Sequence, residues 1–193
     1  MGIARRLNLT QMARVAEAVV EGGLRVVEVT LDTPGAYPQI RLLRDRCPGV
    51  LVGAGSVLTV EAVHAAAEAG AQFVVAPTTD PAVIEAATGL GLASFPGAAT
   101  PTEIRAAVVA GATAVKVFPA NLLGGPAFVA AIRGPLHDPP LVPTGGVDPV
   151  SAPQYLAAGA VAVGAGTSLF SADRDETVEQ LVVRVRTWVE ATR

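Results

Sequence analysis

A glycine-terminated helix leading into a short apolar strand recurs four times along this chain, and three further apolar strands each run into a polar or Gly-rich turn. The composition is 51% hydrophobic and only 16% charged. Together these predict an α/β fold of the (β/α)8 TIM-barrel type, with its first strand lacking or reduced. Short apolar strands alternating with amphipathic helices imply a parallel sheet, buried on both faces and therefore low in charge. A strand-helix pair that repeats and nearly closes four times fits a barrel better than an open sheet. A length of 193 residues suits one large core and is short for two, so residues 1–193 read as a single domain.

The elements follow in order. Gly2 to Ala4 is all that remains for a first strand, because Met1 to Leu7 is short and carries two arginines. Asn8 with Gln11 three residues on forms a helix start, and Leu9, Met12, Ala16 and Val19 make one apolar stripe. Glu21-Gly22-Gly23 stops that helix, and Val26 to Leu31 follows as a strand. The same punctuation precedes Phe73 to Ala76, Ala114 to Phe118 and Val161 to Gly164. Val50 to Ala54, Ala93 to Phe95 and Leu141 to Thr144 are the strands between, which makes seven in all. The final helix, about Asp175 to Thr192, turns Val178, Leu181, Val182, Val185, Trp188 and Val189 to one side and packs outside the barrel.

Several function classes are poorly served by this composition. Fourteen basic against seventeen acidic residues leave a net charge of -3, with no basic block to neutralise a phosphate backbone, and 4% aromatic content gives no stacking platform. No nucleic-acid partner is expected. No apolar run approaches the length of a membrane span, so no membrane partner is expected and the location predicted is cytoplasmic. Cys47 is the only cysteine, which leaves no disulfide to build. His64 on a helix and His137 among prolines join no acidic set with metal spacing, so no metal is expected.

In a barrel of this type chemistry sits at the carboxyl ends of the strands. Strand alternation sends Val115 and Val117 outward and Lys116 inward, and likewise sends Val27 and Val29 outward and Glu28 inward. One lysine and one glutamate then face each other across an apolar interior. On spacing alone a structural ion pair and a catalytic pair weigh about equally. Taking an amine out of water favours its neutral, nucleophilic form, and a nearby carboxyl group can shuttle protons. A second signal is Thr144-Gly145-Gly146 after one late strand and Gly164-Ala165-Gly166-Thr167 after the next, where a short helix is also expected. Backbone N–H groups in such loops hold a phosphate in many barrels.

These residues resemble the class I, Schiff-base family of 2-keto-3-deoxy-6-phosphogluconate and 4-hydroxy-2-oxoglutarate aldolases, from about Leu7 to Phe170. The anchors are Glu28-Val29-Thr30-Leu31, Gly53-Ala54-Gly55-Ser56-Val57-Leu58, Phe95-Pro96-Gly97, Lys116-Val117-Phe118-Pro119-Ala120 and Pro143-Thr144-Gly145-Gly146-Val147. The resemblance implies that Lys116 forms the imine and Glu28 is the general acid/base. It places Ser56 near the pyruvyl carboxylate, Pro77 and Phe118 along the pyruvate pocket, and Thr144, Gly145, Gly146, Gly166 and Thr167 on the phosphate side. It further implies a keto-acid substrate cleaved to pyruvate and an aldehyde, a homotrimer, and no cofactor. Asp32 stands where many members carry a carboxylate-binding arginine, and Asn121 replaces a common glutamate. The family's first strand has no evident counterpart, so either the start is truncated or another segment fills the gap. Two other readings stay open on the residues alone: a phosphate-binding isomerase or synthase without imine chemistry, and a non-catalytic, assembly-type barrel.

Overall fold

The computed structural model describes residues 1–193. Its strands are β1 (Gly2–Ala4), β2 (Val26–Thr30), β3 (Leu51–Gly55), β4 (Phe73–Val75), β5 (Ala93–Phe95), β6 (Gly97–Ala98), β7 (Val115–Val117) and β8 (Leu141–Pro143). All pairings are parallel, β1 to β5 forming one ladder and β6 to β8 another. Pro96 separates β5 from β6 because it has no N–H for a ladder, yet the run 93–98 is one stave that pairs with β4 at its start and β7 at its end. Eight helices alternate with the strands, from α1 (Leu9–Gly22) to α8 (Val178–Ala191).

The ring closes through the segment expected as a strand at Val161 to Gly164. That segment forms no ladder of its own, only bridges from Gly164 to Thr144 and from Ala165 to Gly2. Ile3 N–H donates to Ala165 O at 2.8 Å, Ala165 N–H to Met1 O at 2.9 Å, and Gly164 N–H to Pro143 O at 2.8 Å. The reduced first strand expected at Gly2 to Ala4 is therefore present, and it is the counterpart of the family's first strand that the resemblance had left without one. Gly2, Ile3 and Ala4 are buried, while Arg5 and Arg6 fall just past the strand end and stay exposed. Two charges at a strand's rim are cheap, whereas the same two inside it would be costly.

Alternation sorts the staves as expected. Val27, Val29, Val52, Val115 and Val117 are fully buried against the helices. Each such valine contributes about 1.5–3 kcal/mol relative to exposure. The helix starts are built locally: Asn8 with Gln11, Thr100 with Glu103, and Thr177 with Gln180 each form a reciprocal capping box. Leu9 departs from the predicted stripe. It is the first residue of α1 and is 54% exposed, while Met12, Ala16 and Val19 are buried. The last helix begins at Val178, not Asp175, and buries Leu181, Val182, Val185 and Trp188. It packs chiefly on α1. No helix is long and apolar enough to cross a membrane.

Candidate active site

At the carboxyl ends of the strands a cavity of about 600 Å³ opens, and all ten residues singled out in the sequence line it: Lys116, Glu28, Ser56, Pro77, Phe118, Thr144, Gly145, Gly146, Gly166 and Thr167. Strand register explains why they meet. Glu28 pairs with Gly53, and Lys116 with Gly97 and Val142, so both side chains rise at mid-barrel on the inner face.

Lys116 is 9% exposed and Glu28 is fully buried. No ion pair within 4.0 Å joins them, and both carboxyl oxygens of Glu28 lack a hydrogen-bond partner. This overturns the ion-pair reading, since a buried pair persists only when its members satisfy each other. Burial pushes the Glu28 carboxyl above its ordinary range, an effect partly offset by the positive charge of Lys116. The buried Glu28 carboxyl thus favours its protonated form more than a free glutamate does. The Lys116 Nζ lies 5.4 Å from the centroid of the Phe118 ring, a cation–π distance.

Gly55 makes room for Glu28. A Cβ on Gly55 would come 2.8 Å from Glu28 Oε1 and 3.1 Å from Thr30 Cγ2. Just beyond it, Ser56 adopts φ 58, in the left-handed region that costs a side-chain-bearing residue energy and that here turns the chain into the rim of the cavity.

The other side is an array of amides. The backbone N–H groups of Gly145, Gly146, Val147, Gly166, Thr167 and Ser168 donate to no acceptor within the chain, and all six residues line the cavity. Gly145 (φ 92) and Gly146 (φ 67) both need positive φ to present them. Gly146 also admits the Asn121 side chain, whose Cγ would lie 2.2 Å from a Cβ there. The expected short helix after Gly166 is only a turn, closed by Leu169 and Phe170 N–H to Gly166 O. The free N–H groups on this side therefore belong to loops and not to a helix terminus. Ser168 Oγ donates to Val147 O at 2.9 Å and ties the two loops together. Asp148 also borders this side, but its Oδ1 accepts from Val150 N, Ser151 N and Ser151 Oγ.

Arg5, Asp32, Val147, Asp148 and Ser168 were not among the residues singled out for the site, although Asp32 had drawn notice as a departure. Arg5 and Lys116 are the two basic residues of the lining. Asp32 Oδ2 accepts from Arg5 Nε at 2.9 Å and lies 2.8 Å from Arg5 Nη2 and 3.6 Å from Arg6 Nε. The acidic side chain at position 32 is thus met by an arginine one strand away. Partial burial works to raise the Asp32 carboxyl, but hydrogen bonds from Thr30 and Arg5 and the two arginine charges outweigh it and hold it below its ordinary value. A signal for Arg5 did exist in the sequence. It lies at the carboxyl end of Gly2–Ala4, where the barrel rule places functional side chains once that strand is accepted.

Comparison with known proteins agrees with this fold. A family model described as "KDPG and KHG aldolase" matches residues 2–183. The 2-dehydro-3-deoxy-phosphogluconate aldolase of Treponema pallidum is 44% identical over 143 residues, 74% of this chain and 68% of the relative. The KHG/KDPG aldolase of Escherichia coli K12 is 38% identical over 166 residues, 86% of this chain and 78% of the relative. Among solved structures, a native KDPGal structure superposes with a TM-score of 0.91 at 34% identity, covering 98% of this chain and 92% of that one. KDPG aldolase from Legionella pneumophila, with pyruvate captured as a covalent carbinolamine intermediate, gives 0.85 at 28% identity, covering 100% and 94%.

Proposed function

The chain belongs to the KDPG and KHG aldolase family, and from that premise we propose that it cleaves a 2-keto-4-hydroxy acid to pyruvate and an aldehyde through an imine on Lys116. The observation that carries this reading is the pairing of a nearly buried lysine with a fully buried, unpartnered glutamate in one cavity. Each lacks a structural partner, and each has a chemical task.

Lys116 Nζ attacks the C2 carbonyl to give a carbinolamine. Glu28 donates a proton to the departing hydroxyl, water leaves, and a protonated imine remains. The resulting Glu28 carboxylate then takes the proton of the C4 hydroxyl. The C3–C4 electron pair moves into the imine, the bond breaks, and an aldehyde and an enamine result. Return of the proton to C3 and hydrolysis of the imine release pyruvate and free Lys116.

Ser56 and Pro77 line the pyruvyl end, where Arg5 supplies the cation that position 32 lacks. Phe118 walls the lysine. Thr144, Gly145, Gly146, Gly166 and Thr167 cradle a distal phosphate, and the six free amides favour 2-keto-3-deoxy-6-phosphogluconate or a stereoisomer over the unphosphorylated 4-hydroxy-2-oxoglutarate. The unit is one barrel domain, residues 1–193, assembled as a homotrimer in the cytoplasm. Exposed apolar side chains such as Leu122 (78%) and Val150 (77%) support a covered surface.

The test is borohydride trapping with pyruvate. Peptide mass analysis should place a reduced pyruvyl adduct on Lys116 and none in Lys116→Met. An unmodified Lys116 in active enzyme overturns the mechanism.

A further inference from the structure

We propose that Asp32 is a positioning residue, which aims the Arg5 guanidinium across the mouth of the cavity at the carboxylate of the keto acid. This rests on the keto-acid reading above and adds to it the device that makes an acidic residue compatible with an anionic substrate.

Arg5 is poorly placed to act unaided. It leaves the end of a three-residue strand, and its side chain is 54% exposed, so an unrestrained guanidinium would sample solvent. Asp32 removes that freedom. Every contact from the arginines falls on Oδ2, and from Arg5 they come only through Nε and Nη2. Nη1 of Arg5 makes no hydrogen bond within the chain, which leaves one corner of the fork for an incoming carboxylate.

The backbone under Arg5 is tied to the same loop. Arg6 N–H donates to Thr33 Oγ1 at 2.8 Å, and Thr33 Oγ1 lies 3.2 Å from Thr30 Oγ1. The loop after β2 thus fixes both the main chain beside Arg5 and, through Asp32, its side chain. Arg6 adds a second positive charge 3.6 Å from Asp32 without lining the cavity. Two arginines against one aspartate leave this rim with a net positive charge.

Bare charge and positioning predict opposite signs. If Asp32 acted only as a negative charge near the anion site, its removal would lower KM. If it aims Arg5, removal raises KM because the donor is lost from its place. The experiment measures kcat and KM for retro-aldol cleavage by the full chain and by Asp32→Ala, Asp32→Asn, Asp32→Glu, Arg5→Ala and the Arg5→Ala/Asp32→Ala double variant, with circular dichroism confirming the fold. The expected result is a KM about tenfold higher in Asp32→Ala, with a smaller change in kcat, as for loss of one charge-assisted hydrogen bond. Asp32→Glu should recover part of it, and adding Asp32→Ala to Arg5→Ala should cost nothing more.

A lower or unchanged KM in both Asp32→Ala and Asp32→Asn overturns the proposal, as does an additive effect in the Arg5→Ala background. Trapping with pyruvate and borohydride separates the two failures. A wild-type Lys116 that stays unlabelled sinks the aldolase reading and this proposal with it; a labelled Lys116 with no rise in KM sinks only the role of Asp32.

Discussion

The Glu28 carboxyl lies against the Cα of Gly55, so close that a Cβ on that carbon would sit 2.8 Å from Oε1 and 2.9 Å from Cδ. Glu28 is anchored by neither hydrogen bond nor ion pair, so the shape of its seat sets its position. Gly55→Ala should push the carboxyl aside in a barrel that still folds. A displacement of about 1 Å in a reacting group costs roughly 10²-fold, so kcat should fall by about that factor while pyruvate trapping on Lys116 slows in parallel. Single-turnover cleavage measures it, and an unchanged rate would show that the seat does not matter.

Glu28 also makes stability depend on pH. Burial raises its folded-state pKa above the unfolded value of about 4.3, so the folded state holds the proton more tightly than the unfolded one. Its contribution is fully present below the unfolded pKa and is lost as pH rises through the folded one. Denaturant melts from pH 4 upward should show wild type losing stability over this window relative to Glu28→Gln, which cannot ionise. The same variant should lose about 10²–10⁴ in kcat, the usual worth of a general acid/base. Parallel pH profiles for the two proteins would contradict the assignment.

Gly166 offers a test of the phosphate side that leaves the fold alone. A Cβ there meets nothing within 4 Å, and its φ lies outside the left-handed region, so Gly166→Ala should melt like wild type. The methyl would instead stand in open space at a residue that lines the cavity. Cleavage of a phosphorylated substrate should weaken about tenfold or more in kcat/KM, on the scale of one lost charge-assisted contact, while an unphosphorylated keto acid is cleaved as before. Equal losses with both substrates would place the phosphate elsewhere.

Ser168 joins the two anion-side loops through its bond to Val147 O. Removing one such hydrogen bond costs about 1 kcal/mol, or roughly fivefold in an equilibrium constant. Ser168→Ala should therefore raise KM for the phosphorylated substrate by about that factor and weaken inhibition by inorganic phosphate to match. Steady-state inhibition assays check this, and no change in either constant would mean that the loops hold their positions without the tie.

Much of this was legible in the chain because it follows from local rules. The Asn8 and Gln11 pair, the glycine stops and the alternation around Lys116 and Glu28 are short-range, and each stands as expected. Leu9 misled because a first helical residue carries its side chain past the core that the rest of its stripe faces. Gly2 to Ala4 gave only a faint signal for a different reason. Three small or apolar residues carry little pattern, and their place as a strand comes from partners at Val27, Glu28, Val29 and Ala165, far away in sequence.

By itself, the sequence determined the barrel class, the inward lysine and glutamate, and the glycine loops, since backbone preference and side-chain periodicity are properties of neighbouring residues. Only the tertiary structure decided that the ring closes on Gly2 to Ala4, that Glu28 stands buried and unpaired, and that Arg5 answers Asp32. Those outcomes depend on burial and on contacts between residues far apart in the chain, as for Arg5 and Asp32, 27 positions apart, where only the closed barrel sets the separation of the charges.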